Sequence, residues 1–116
     1  MNSKWIYYHT NTCSKSREGL SLLTKSQLNP KIKDYKKEIL TESELKELGK
    51  YFKGDPLLLT RPKDAKKKGI QITKKNWVQI IIKYPEFLQR PILKGPKQTI
   101  LGRPIENINQ VINEYH

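Results

Sequence analysis

Cys13 is the only cysteine in this 116-residue chain, so no second thiol is present to close an intramolecular disulfide. It lies in the run Trp5-Ile6-Tyr7-Tyr8-His9-Thr10-Asn11-Thr12-Cys13-Ser14-Lys15-Ser16-Arg17, with His9 four residues before it and Arg17 four after. The thiolate is the nucleophilic form, and a free cysteine with a pKa of about 8.5 is mostly protonated at neutral pH. A thiol at the start of a helix meets unpaired backbone N–H groups and roughly half a positive charge, both of which favour the anion. Ser14 and Ser16 offer hydroxyl donors to the sulfur or to an anion beside it, and either could equally cap the helix. His9 could tune the cysteine or merely close the turn.

A thiolate that acts on an anion needs a positive shell, because the two would otherwise repel. Nineteen of the 23 basic residues are lysine, and the four arginines are Arg17, Arg61, Arg90 and Arg103. Guanidinium binds oxyanions through a planar fork that lysine cannot copy. Three of the four precede a proline (Arg61-Pro62, Arg90-Pro91, Arg103-Pro104), which places them in extended or turn backbone. Arg17 falls one helical turn beyond Cys13 and suits either added positive potential or an ion pair with Glu18 or Glu38.

These residues need elements to hold them. Lys4 to Tyr8 reads as a strand, Ser14 to Leu28 as a helix stopped by Asn29-Pro30, and Ile32 to Tyr35 as a second strand. Thr41 and Glu44 form a capping box that opens a helix reaching Tyr51 or Phe52. Leu57-Leu58-Leu59 reads as a buried segment, Lys63 to Lys68 as a short polar helix, and the stretch from about Thr73 as a helix carrying Trp77, Ile80, Ile81 and Tyr84. Pro91 to Leu93 and Thr99 to Gly102 form a hairpin around Lys94-Gly95-Pro96-Lys97, and Ile105, Ile108, Val111 and Ile112 mark a last helix. Residues 1–116 read as one domain, without repeats or linkers.

The bulk numbers narrow the class. No apolar run is long enough to span a membrane, no signal-peptide layout opens the chain, and one cysteine suits a reducing compartment, so the expectation is a soluble cytoplasmic protein. The net charge of +12 would attract nucleic acid. Yet the lysines are scattered, and the densest cluster, Lys63 to Lys75, has no interleaved aromatics to stack bases. A solvated lysine surface is the better reading, and no metal-ligand cluster stands out.

The order β-α-β, a helical block, then ββα is that of a thioredoxin-like α/β fold, a mixed sheet flanked by helices with a helical insertion between its halves. In that fold the reactive cysteine follows the first strand, and a cis proline, here Pro91, precedes the third. The chain resembles the glutaredoxin-dependent arsenate reductase family, which includes the Spx-type regulators. The resemblance rests on Tyr8-His9, Cys13-Ser14-Lys15-Ser16-Arg17, Leu58-Leu59-Thr60-Arg61, Leu88-Gln89-Arg90-Pro91-Ile92 and Leu101-Gly102-Arg103-Pro104-Ile105-Glu106.

The resemblance implies that Cys13 is the nucleophile toward arsenate and that His9 helps set its ionisation. It implies that Arg61, Arg90 and Arg103 surround the oxyanion, with Ser14, Ser16, Arg17 and Pro91 in support. Glutathione would be the reducing co-substrate and glutaredoxin the partner that resolves the mixed disulfide, in a role in arsenic detoxification with no tightly bound cofactor. The chain departs from the family around the thiol, with Thr10-Asn11-Thr12 before Cys13 and Ser14-Lys15 after it in place of a proline, a glycine and other small residues. The alternative is an Spx-like regulator that binds RNA polymerase without turnover. Ser16, where such regulators carry a second cysteine, and the presence of Arg103 both favour the enzyme.

Overall fold

In the computed structural model, residues 4–114 are described. Four strands, β1 (Ile6–His9), β2 (Lys31–Asp34), β3 (Ile92–Lys94) and β4 (Thr99–Leu101), form one sheet in the order β2-β1-β3-β4. β1 and β2 run parallel, with His9 opposite Asp34; β3 lies antiparallel to β1, with Ile92 opposite Tyr8; β4 lies antiparallel to β3, with Leu101 opposite Ile92. A parallel β1–β2 pair needs a crossover, and α1 (Ser14–Thr24) supplies it. α2 (Glu42–Tyr51), α3 (Pro62–Lys67) and α4 (Trp77–Lys83) form the helical insertion, and α5 (Glu106–Glu114) closes the described chain. The arrangement is thioredoxin-like.

Side-chain alternation along β1 divides the core. Trp5 and Tyr7 point with Leu93 toward Leu23 of α1 and Ile108 and Val111 of α5. Tyr8 points with Ile92 toward Leu45 and Leu48 of α2, Ala65 of α3 and Trp77 and Ile81 of α4. Strand residues two apart share a face, so one four-residue strand feeds both layers. The layers clamp β1 and hold its end, where the thiol turn begins.

Three expectations are corrected. α1 ends at Thr24, four residues before Leu28, because Ser26 takes the Leu23 carbonyl with both its N–H, at 3.1 Å, and its hydroxyl, at 2.7 Å. Leu57 to Leu59 is not uniformly buried: it is a 3₁₀ turn, Pro56–Leu59, that buries Leu59 and leaves Leu58 58% exposed. The helix expected from about Thr73 becomes regular only at Trp77, since Thr73 and Asn76 first exchange side-chain and backbone hydrogen bonds in a turn. The Thr41–Glu44 capping box is present in full. Among the described residues, no helix is long and apolar enough to cross a membrane.

Candidate active site

Cys13 is the N-cap residue of α1, at the end of a turn in which its own N–H donates to the Thr10 carbonyl at 3.2 Å. Its sulfur is partly exposed, as a nucleophile must be. Burial pushes the thiol up. The Ser16 backbone N–H, the Ser16 hydroxyl, the Lys15 N–H and the Arg103 guanidinium outweigh it and bring the thiol down to about 7. Neither N–H closes a regular capping hydrogen bond on the uncharged sulfur. Their effect is electrostatic and favours the thiolate.

Arg103 reaches the sulfur from the far end of the β3–β4 hairpin. Its Nη2 donates toward Cys13 Sγ at 3.7 Å, and its Nε donates to the Arg90 carbonyl at 2.7 Å. The Arg90-Pro91 and Arg103-Pro104 peptides are both cis, and only the first was expected. Gly102 N–H donates to the Pro91 carbonyl at 2.8 Å, which ties the two Arg-Pro segments together across the β3–β4 hairpin. A Cβ on Gly102 would meet Pro91 Cγ and Ile108 Cδ1 at 2.7 Å, so the close approach requires glycine.

Arg90 and Arg61 come from the insertion side. Arg90 Nη1 donates to the Glu86 carbonyl at 3.3 Å, while its Nε lies buried without an acceptor among the described residues. Arg61 caps α3, pairs with Asp64 at 3.1 Å and donates its backbone N–H to the Phe87 carbonyl at 2.7 Å. Gln89 N–H donates to the Leu59 carbonyl at 2.8 Å, so two backbone bonds hold the Arg61 and Arg90 segments side by side.

Ser16 is fully buried, and its hydroxyl accepts from Thr10 N–H at 3.4 Å. Ser14 is exposed at the first position of α1. Arg17 makes neither expected ion pair; its Nη1 donates to the Asn11 carbonyl at 2.6 Å and braces the thiol turn. Pro91 is buried at the head of β3. His9 is buried, its ring stacked on Tyr7 at 5.6 Å, and its Nδ1 has no hydrogen-bond partner among the described residues. Burial holds its pKa below the ordinary value against the pull of Asp34. The groups that lower the thiol are Ser16, Lys15 and Arg103, and His9 is not among them.

Tyr35 was missed. It sits just after β2, 3% exposed, and its phenol donates to the Leu88 carbonyl at 3.2 Å. Burial pushes the phenol up to about 12, while the positive charge of Arg90 pulls the other way and Cys13 and Arg61 also act on it. Tyr35 therefore touches the Arg90 segment from beneath. Its position after a short strand marks it only as core, and no spacing in the sequence links it to residue 90.

No protein-family model matches the chain. Among curated proteins it is 31% identical over 111 residues to an arsenate reductase of Neisseria meningitidis, spanning 90% of this chain and 95% of that one. It is 28% identical over 113 residues to an arsenate reductase of Haemophilus influenzae, spanning 92% and 97%. Among solved structures, an arsenate reductase from Vibrio cholerae superposes with a TM-score of 0.79 at 25% identity, over 96% of this chain and 99% of that one. Similarity that runs almost end to end in both sequence and fold leads to one conclusion: this chain belongs to the arsenate reductase family.

Proposed function

We propose that the protein is a monothiol oxidoreductase that reduces arsenate to arsenite, with Cys13 as nucleophile and with glutathione and glutaredoxin as the source of electrons. The observation that carries this reading is the Arg103 guanidinium 3.7 Å from the sulfur of the only cysteine. A cation at that distance favours the thiolate and can hold an anion against it. With a thiol pKa of about 7, a large fraction is ionised at neutral pH.

The Cys13 thiolate attacks arsenic(V) and forms an S–As bond, while one arsenate oxygen leaves as hydroxide and is protonated to water. Arg61, Arg90 and Arg103 neutralise the remaining oxygens. Reduction to arsenic(III) takes one electron pair, which two thiols provide as they become a disulfide. The chain holds no second cysteine, so an outside thiol is required. The glutathione thiolate attacks the Cys13 sulfur of the adduct: an S–S bond forms, the S–As bond breaks, and its electron pair stays on arsenic, which leaves as arsenite. Glutaredoxin then reduces the Cys13–glutathione disulfide and returns the free Cys13 thiol. In this reading a reducing cytoplasm supplies the thiols. The alternative of a regulator bound to RNA polymerase draws only on the basic surface.

Purified protein supplied with arsenate, glutathione and glutaredoxin should show arsenate-dependent disulfide formation, and Cys13→Ser should show none. Absence of turnover in the wild type would sink the arsenate assignment. Arg90→Lys and Arg103→Lys, which keep charge but lose the fork, should lower kcat/KM on the order of tenfold or more.

A further inference from the structure

We propose that Lys15 and Lys36 form an outer cationic rim around the thiol that receives the carboxylates of the small thiol which reduces the enzyme. This rests on the reading above in one respect, that an outside thiol completes the reaction.

The two lysines come from different elements. Lys36 follows β2 and lies 24 positions from the residue it touches: its Nζ donates to Thr12 Oγ1 at 2.9 Å, directly before Cys13. Lys15 is the second residue of α1, its side chain 51% exposed, and its contact with Glu18 is a loose surface pair at 3.7 Å. Such a pair is weak and leaves the ammonium available. Arg17 extends the same edge through its bond to the Asn11 carbonyl. Acids lie beside both lysines: Glu18 pairs with Lys15, Asp34 Oδ1 accepts the backbone N–H of Lys36 at 3.1 Å, and Glu38 follows on the same turn. Among the described residues, neither Lys36 nor Arg17 makes a salt bridge.

Positive charge at the site therefore comes in two shells. Arg103, though itself exposed, lies on the sulfur, Arg90 is half-buried, and Arg61 is paired with Asp64. Lys15, Arg17 and Lys36 are exposed, on the solvent side of the turn. Arsenate is compact and has no appendage to reach the outer shell. An attacking thiol such as glutathione arrives from solvent and carries carboxylates held several bonds from its sulfur. The outer shell suits that second substrate, steering it and holding its charged ends while its sulfur meets Cys13.

The test needs no arsenate. Cys13 of the full chain is reacted with dithiobis-nitrobenzoate, a disulfide bearing two carboxylates, and with neutral dithiodipyridine. In each case the Cys13 thiolate attacks one probe sulfur and an S–S bond forms to Cys13. The probe's S–S bond breaks, and its second half leaves with the electron pair, so Cys13 is oxidised and the probe reduced. Rates are expressed as the anionic-to-neutral ratio, relative to the same ratio for glutathione.

The wild type should prefer the anionic probe at low ionic strength and lose the preference in high salt. Lys15→Gln/Lys36→Gln, which keeps the Lys15 backbone N–H beside the thiol, should cut the ratio about fivefold or more, and Lys36→Arg should retain the preference. An unchanged ratio in the double variant, or equal loss with both probes, overturns the rim. A protein unable to reduce arsenate could still pass, and one that reduces arsenate could fail, so the two readings are separable.

Discussion

The Arg103 side chain joins the Cys13 sulfur to the Arg90 backbone: Nη2 reaches Sγ at 3.7 Å while Nε holds the Arg90 carbonyl at 2.7 Å. One guanidinium thereby fixes the distance between the nucleophile and the segment that carries a second arginine. Removing it should raise the thiol pKa and free the Arg90 segment together. For Arg103→Ala, the pH profile of Cys13 alkylation should move upward, with a rate at neutral pH lower by up to about tenfold. An unmoved profile would show that the helix terminus alone sets the thiol.

Gly102 sits between Pro91 and Ile108 with no room for a Cβ. Gly102→Ala should destabilise the protein by about 1–3 kcal/mol through overpacking. It should also displace Arg103, the next residue. Urea unfolding gives the first effect and the alkylation profile the second, and a wild-type midpoint would contradict the packing argument.

Tyr35→Phe keeps the ring that fills the core and deletes the hydroxyl that donates to the Leu88 carbonyl, two residues before Arg90. The loss should be about 1 kcal/mol of stability. The KM for arsenate should rise more than kcat falls, because Arg90 loses a support while Cys13 keeps Arg103. Steady-state kinetics in the coupled assay measure the split, and an equal fall in kcat alone would point away from Arg90.

Glu44 is a stability switch away from the thiol. Its carboxylate accepts from Tyr8 at 2.8 Å, Lys33 at 2.7 Å and Thr41 N–H at 2.8 Å. Burial pushes the carboxyl up, but Lys33, Thr41 and Tyr8 together hold it below its ordinary value. A depressed folded pKa stabilises the fold above the unfolded carboxyl range, and that stability is lost as pH falls through the folded value. Glu44→Gln should cost about 1–3 kcal/mol near neutral pH. It should also flatten the acid side of a plot of urea midpoint against pH. A parallel slope in wild type and variant would rule out this role.

The local signals in the chain served well where one residue type decides the outcome. The Thr41–Glu44 pair placed a helix start because both partners lie within one turn. Asn29-Pro30 correctly set an outer limit for α1, but the true end at Thr24 depends on Ser26 competing for the Leu23 carbonyl. Leu57 to Leu59 looked uniformly apolar, and only packing shows that Leu58 faces out while Leu59 faces in. His9 lies four residues before the thiol, a spacing that suits either tuning the cysteine or closing the turn. In the fold, its ring turns onto Tyr7, and Arg103, ninety positions distant, takes the sulfur instead.

By itself, the sequence determined that there is one thiol, that it opens a helix, and that three arginines sit in turn or extended backbone before prolines. Those properties follow from residue identity and short-range sterics. Tertiary structure alone decided which arginine meets the sulfur, that Tyr35 holds the Leu88 carbonyl beside Arg90, and that Lys36 reaches Thr12. Each of these contacts spans a strand crossover or the helical insertion. Its geometry depends on sheet order and on how two helical layers close over β1, and no local pattern encodes either.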